Sequence, residues 1–247
     1  MQPKDERKYY GTNACYALSK QRPNDIKAVY VDRNEERTYF QIMQRSREKS
    51  IPVKVVAEAD LERLTKSTHH QGICIVAKEK PQLDFARVFP VMAKSSEVII
   101  FLDGVENPHN VGAILRTASH FGIRYILGNE SLPRFSPSAC RTSEGGAEFV
   151  ELVRCGNPVA ALQDLKKSGF RVLASSSSSS AKSLQKYMFP AKSVLIFGSE
   201  VYGISEPIQL LADDSICISG SGAVQSMNVS VVVAIFLHEV TRQLLQK

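Results

Sequence analysis

Little in this sequence speaks for a membrane, a disulfide framework or a resident metal. The longest uninterrupted apolar run, Val231 to Leu237, falls far short of the roughly 20 residues that cross a bilayer. The opening residues, Met1-Gln2-Pro3-Lys4-Asp5-Glu6-Arg7-Lys8, are charged and lead into no apolar stretch, which argues against a secretory signal. A soluble, cytoplasmic protein is the expectation. Cys15, Cys74, Cys140, Cys155 and Cys217 are scattered, odd in number and form no CxxC. That pattern disfavours disulfides and zinc, and buried thiols are expected. His69 and His70 are adjacent and no HExxH occurs, so no metal is expected. Neither a P-loop nor a GxGxxG fingerprint is present, which removes the common phosphate-cradling and dinucleotide-binding loops.

What is present is enough apolar material for a real core. The chain has 247 residues, 43% of them hydrophobic, which allows one large or two modest domains. Net charge is +6 and unevenly placed: residues 1–90 hold 17 Lys and Arg against 12 Asp and Glu, and the remainder holds 14 against 13. A basic N-terminal third suits nucleic-acid phosphates or is an ordinary solvated surface.

The hydrophobic pattern divides the chain. Helical stretches at Asn13–Leu18, Tyr39–Lys49 and Ala59–Thr65 alternate with strand-like runs at Ala28–Val31, Val53–Val56 and Ile73–Ala77. This predicts a small α/β domain over residues 1–78. Residues 79–96, with prolines and charges at the start, read as a linker. A second domain, 97–247, begins at the apolar run Val98–Leu102, of buried-strand type. Helices follow at Val111–Phe121, Val159–Ser168 and Val229–Gln246, with strands at Arg124–Leu127, Glu148–Val153, Arg171–Ala174, Val194–Phe197 and Ser215–Ile218. Such alternation implies a mostly parallel sheet. The serine run from Ser175 to Ser180 reads as a flexible loop.

Three polar blocks punctuate this second part: Asn107 to Arg116, Phe197 to Ser205 and Ile218 to Ser230. The last two each follow a β-branched run, where open α/β sheets bind ligands. Asn110 is placed to cap a helix starting at Val111. Gly112 and Arg116 share a helix face, leaving room for a phosphate against the guanidinium. Gly198 and Gly203 permit close backbone approach. Glu200 has three readings: a partner of Arg116, an acceptor for a ribose hydroxyl, or a helix cap. Ser226 and Asn228 precede an apolar helix, and one of them is expected to cap it. That helix is apolar nearly all round to Leu237, which places it in a core or against another subunit.

Taken together, the order and spacing of these blocks resemble the SpoU (TrmH-like) RNA 2'-O-ribose methyltransferases of the SPOUT class. The N-terminal part, with Tyr10-Gly11-Thr12-Asn13-Ala14 and His70-Gln71-Gly72, looks like that family's L30e-like substrate-binding domain. The resemblance implies a parallel α/β sheet with a C-terminal trefoil knot, S-adenosyl-L-methionine as cofactor, a homodimer, and 2'-O-methylation of ribose in tRNA or rRNA. By position it implies catalytic roles for Asn110, Arg116, Glu200, Ser226 and Asn228. Ser175, Gly198, Glu200, Gly203, Ile218 and Met227 are implied at the cofactor. Arg116 is left as either a base or an anchor for phosphate. Ser219 and Gly220 stand where the family has Pro and Met, and Met227 replaces a leucine. The alternative from another class is a non-catalytic RNA-binding or ribosome-associated protein on the same scaffold.

Overall fold

The computed structural model describes residues 6–178, 180–224 and 226–245. The chain starts with β1 (Glu6–Tyr10), α1 (Thr12–Gln21), β2 (Ile26–Asp32), α2 (Phe40–Glu48), β3 (Val53–Val56), α3 (Glu58–Thr65) and β4 (Ile73–Lys78). It continues with β5 (Leu83–Asp84), α4 (Phe85–Met92), β6 (Val98–Asp103), α5 (Pro108–His120), β7 (Tyr125–Gly128), α6 (Pro137–Thr142), β8 (Glu151–Arg154) and α7 (Pro158–Lys167). Then come β9 (Arg171–Ser176), β10 (Lys182–Ser183), β11 (Ser193–Gly198), α8 (Glu206–Gln209), β12 (Asp214–Cys217) and α9 (Val229–Leu245). The expected helix end at Gln246 lies outside the described residues.

Two compact units result, one of residues 1–81 with 135–149, the other of 82–134 with 150–247. The first holds a four-stranded sheet in the order β1-β4-β2-β3. Here β4 is antiparallel to both neighbours and β3 runs parallel to β2. Every residue of β4 from Ile73 to Ala77 is buried, as befits a central strand covered on both faces. The unit is consolidated by Arg22, whose Nε and a terminal nitrogen grip both oxygens of Glu148 at 2.7 and 3.1 Å. Such a fork pairs charge and geometry together.

The second unit is an eight-stranded sheet in the order β10-β12-β9-β11-β6-β7-β8-β5, parallel throughout. All six residues of β6 are buried, the continuous apolar run that a doubly covered parallel strand demands. On α9, Val233, Phe236, Leu237 and Val240 are buried. The Phe236 ring lies 5.3 Å from Phe197, edge to face. Gln243 is also buried there. Its Oε1 accepts the Phe189 N–H at 2.9 Å and its Nε2 donates to the Tyr187 carbonyl at 2.8 Å, so no polar atom of that side chain is stranded.

The stretch read as a linker builds ordered structure instead. Leu83 and Asp84 pair with β8, and Phe85, Val88, Phe89 and Met92 of α4 join the sheet's core. Their spacing is that of one helical face, and it outweighs Pro90 near the helix end. All five cysteines are free and buried. Burial pushes the thiols of Cys74, Cys140 and Cys155 up to about 12, which keeps them protonated and inert. No described helix is long and apolar enough to cross a membrane.

Candidate active site

The order of strands reverses between β6 and β11. Chain order runs outward from β6 through β7 to β8 on one side, while β11, β9 and β12 lie on the other. In open α/β sheets the crevice at such a reversal, outside the carboxyl strand ends, is where ligands bind. Asp103 and Gly198, the last residues of β6 and β11, are direct partners across that boundary.

The loop leaving β11 is built by close backbone contact. A Cβ on Gly198 would overlap the carbonyl of Gly203 and the nitrogen of Ile204, so only glycine fits. Ser199 and Gly203 exchange backbone hydrogen bonds of 3.2 and 2.9 Å. Gly203 turns the chain at φ 68°, the left-handed region where glycine carries no penalty. Tyr202 N–H donates to the Ser199 hydroxyl at 3.1 Å. The far foot of the loop is held by Asp103, whose buried carboxylate accepts from the Ser205 N–H at 2.8 Å and its hydroxyl at 2.6 Å. Glu200 is thereby presented, exposed, on a loop fixed at both feet.

Facing it is the start of α5. The cap is Asn107, whose side chain accepts from the His109 N–H at 2.9 Å. Pro108 occupies the first helical position, where its missing N–H costs nothing. Asn110 is therefore a residue of the first turn and not the expected cap. Freed from capping, it donates from Nδ2 to Glu200 Oε1. Its Oδ1 accepts from Nδ2 of Asn228 at 3.0 Å. Asn228 in turn accepts from the N–H and hydroxyl of Ser230 at 2.9 and 2.6 Å, and so is the residue that caps α9. A carboxylate only accepts, so the chain of donors fixes which way both amides point.

The remaining expected residues fall around this trio in different ways. Gly203 belongs to the loop just described. Ser175 is half-buried on β9, paired with Ile216. Ile218, half-buried, follows β12 directly, one residue beyond the observed strand end at Cys217, although the sequence pattern put it inside the strand. Ser226 and Met227 are exposed immediately before Asn228. Ser175, Gly198 and Ile218 thus sit at the carboxyl ends of the neighbouring parallel strands β9, β11 and β12.

Arg116 is different. It is exposed and makes no hydrogen bond or ion pair with a described residue. Six positions beyond Asn110, it lies about 9 Å further along the helix and about 120° around it. It does not pair with Glu200, whose hydrogen-bond partner is Asn110. Gly112, one turn before Arg116 on α5, is buried while Arg116 is exposed. Sequence reading missed Asp103 altogether and gave Ser205 only as the end of a polar block, with no role. The available signal was an acid closing the apolar run Val98–Asp103.

Residues 97–238 match the model of the SpoU rRNA Methylase family. Residues 9–83 match the model described as RNA 2'-O ribose methyltransferase substrate binding. An uncharacterized tRNA/rRNA methyltransferase, YfiF, of Escherichia coli O157:H7 is 31% identical over 97% of this chain and 69% of its own length. The 23S rRNA (guanosine-2'-O-)-methyltransferase RlmB of Acinetobacter baylyi is 28% identical over 95% of this chain and 96% of its own. The crystal structure of the SpoU methyltransferase AviRb from Streptomyces viridochromogenes, in complex with AdoMet, shares the fold. Its TM-score is 0.80 at 19% identity, over 98% of this chain and 92% of that one. On these matched segments, the chain belongs to the SpoU rRNA methylase family and is an RNA 2'-O-ribose methyltransferase.

Proposed function

We propose that the enzyme methylates the 2'-oxygen of a ribose in rRNA or tRNA, with S-adenosyl-L-methionine as methyl source. The observation that carries this reading is the hydrogen-bonded series Glu200–Asn110–Asn228 at the β6/β11 reversal. The surrounding loops suit that cofactor. A Cβ on Gly203, Gly220 or Gly222 would meet nothing within 4 Å, so there is open space beside the chain at these positions. Ser175, Gly198, Glu200, Gly203, Ile218 and Met227 would hold it. When bound, it supplies a methyl group made electrophilic by a positive sulfonium.

The chain's own residues then position and stabilise. Glu200 spends one oxygen on Asn110 and keeps lone pairs for the ribose hydroxyl. Asn110 and Asn228 hold that carboxylate in one orientation, the kind of support on which near-attack geometry depends. Ser226, exposed beside them, is a further hydroxyl for the ribose. Arg116 keeps its proton in any protein environment. We therefore assign it to the phosphate next to the target ribose and to the developing alkoxide rather than to proton removal. Residues 1–78 take the role of RNA-binding domain, and 97–247 that of catalytic domain. The entry of β11 between β6 and β9, with β12 on the far side of β9, supports the family's trefoil knot.

A homodimer completes the proposal. Val201 and Tyr202 on the Glu200 loop are 79% and 90% exposed, and Val231 on α9 is 47% exposed. Apolar surface of this kind favours a partner. Arg116, exposed and turned about 120° around α5 from Asn110, serves the site of the second copy. The cytoplasm, where such RNA substrates are found, is the proposed compartment. The test is thermal: S-adenosyl-L-methionine must raise the melting temperature, as any ligand of the native state does. No shift, together with no methyl transfer to RNA, would favour the non-catalytic alternative.

A further inference from the structure

The turn leading into β4 contains a buried group that the methyl-transfer site does not use. His70 is 3% exposed. The Gly11 N–H reaches the His70 carbonyl at 3.2 Å, and Gln71 Oε1 accepts the Thr12 N–H at 2.8 Å. The Gly72 N–H donates to His70 Nδ1 at 3.1 Å. His70 Nε2 is left without a partner. The residue lines a cleft of about 370 Å³ together with Asp32, Glu35, Glu58, Gln71 and Arg141. On α3, a carboxylate oxygen of Glu58 and one of Glu62 lie within 4.8 Å of a His70 ring nitrogen and of each other.

The hydrogen bond at Nδ1 decides the chemistry. Because Nδ1 accepts from a backbone N–H, the ring's proton is on Nε2, which is therefore a donor. A metal would need the lone pair at Nε2 and a proton on Nδ1, the opposite tautomer. Beside His70, phosphate is disfavoured by the adjacent carboxylates. The complementary ligand has an acceptor for Nε2–H beside donors for a carboxylate. Among nucleobases, guanine presents O6 next to N1–H and the N2 amine on one edge, and single-stranded RNA bases are read on that edge. We propose that this cleft is a subsite for an unpaired guanine of the RNA. His70 Nε2–H donates to O6, and Glu58 or Glu62 accepts from N1 and N2. Arg141, fixed by its Nε–H on the His69 carbonyl at 3.0 Å, suits the attached phosphate. The proposal rests on the RNA methyltransferase reading and adds a base preference to it.

Binding of the full-length protein to fluorescent RNA hairpins tests it. One hairpin has an all-uridine loop, one a single central guanosine, and one inosine, which lacks the N2 amine. Guanosine is expected to tighten binding about tenfold over uridine, with inosine between them. His70→Phe, and separately Glu58→Gln with Glu62→Gln on the solvent-exposed side of α3, should bring guanosine down to the uridine value. Equal affinity for the hairpins, no binding to any of them, or a guanosine preference that survives both variants would overturn the subsite. Saturable binding of Mn²⁺ or Zn²⁺ that His70→Phe abolishes would overturn it too, in favour of a cation. The same preparations are assayed for labelling of total RNA from methyl-labelled S-adenosyl-L-methionine. Labelling without base preference removes only the subsite, whereas no labelling and no cofactor binding removes the reading beneath it.

Discussion

Asn228 donates through its side-chain amide to the Oδ1 of Asn110, 3.0 Å away and 118 positions earlier in the chain. Neither amide is free to flip, because Asn110 also donates to Glu200 and Asn228 also accepts from the start of α9. Replacing Asn228 by Ala removes a helix cap and the lock on Asn110 together. The expected result is a stability loss of about 1 kcal/mol and a fall in kcat of around 10²-fold. Paired melting curves and single-turnover rates separate the two. An intact rate would detach this residue from the site.

Arg116 gives the opposite pattern. It is exposed and unpaired among the described residues, so Arg116→Ala should abolish activity while leaving the melting temperature within the range of neutral surface changes. Arg116→Lys should not restore it, because an ammonium cannot reproduce the planar fork. Mixing Arg116→Ala with Asn228→Ala subunits should recover part of the rate if the arginine serves the second copy. Separate, additive inactivity would place it in its own chain's site.

Gly198 tests the loop. An alanine Cβ would run into the Gly203–Ile204 backbone. Gly198→Ala should cost about 1–3 kcal/mol from overpacking and weaken S-adenosyl-L-methionine at least tenfold by calorimetry. Unchanged affinity would mean the loop does not contact the cofactor.

The pH dependence of stability has a definite sign. Asp214 is bonded to Lys182, to Arg171 at 3.1 Å and to the Tyr187 hydroxyl at 2.8 Å. Although burial opposes the charge, these partners win and hold its carboxyl down at about 2. The unfolded value is about 3.9. The stabilisation is therefore complete above about pH 4 and is lost as pH falls toward 2. Allowing for solvent screening, it is of order 1 kcal/mol. Asp214→Asn should flatten the acid limb of a stability–pH curve in that window, and an unchanged slope would count against it.

Much of this architecture was legible in the sequence because burial on both faces leaves continuous apolar runs. Val98–Leu102 and Val194–Phe197 mark β6 and β11 to within a residue at each end. The trio was legible only as residue types at block positions, since Asn110, Glu200 and Asn228 meet through tertiary contact. Local propensity misled at Asn110, where Asn107-Pro108 was the better cap signal. It misled again at α4, where a proline hid the helical face of Phe85, Val88, Phe89 and Met92. β1 went unseen because Glu6, Arg7 and Lys8 look solvated. They are half-buried all the same, since the strand is held by its pairing with β4. Asp103 and His70 were unreadable in role, because what matters is which partner each finds or lacks after folding.

The most direct test is to incubate the enzyme with methyl-labelled S-adenosyl-L-methionine and total RNA from cells lacking its gene, then digest to nucleosides. The account predicts label in a 2'-O-methyl nucleoside and none with Arg116→Ala. Label on a base instead of the ribose, or no label together with no cofactor binding, would contradict it.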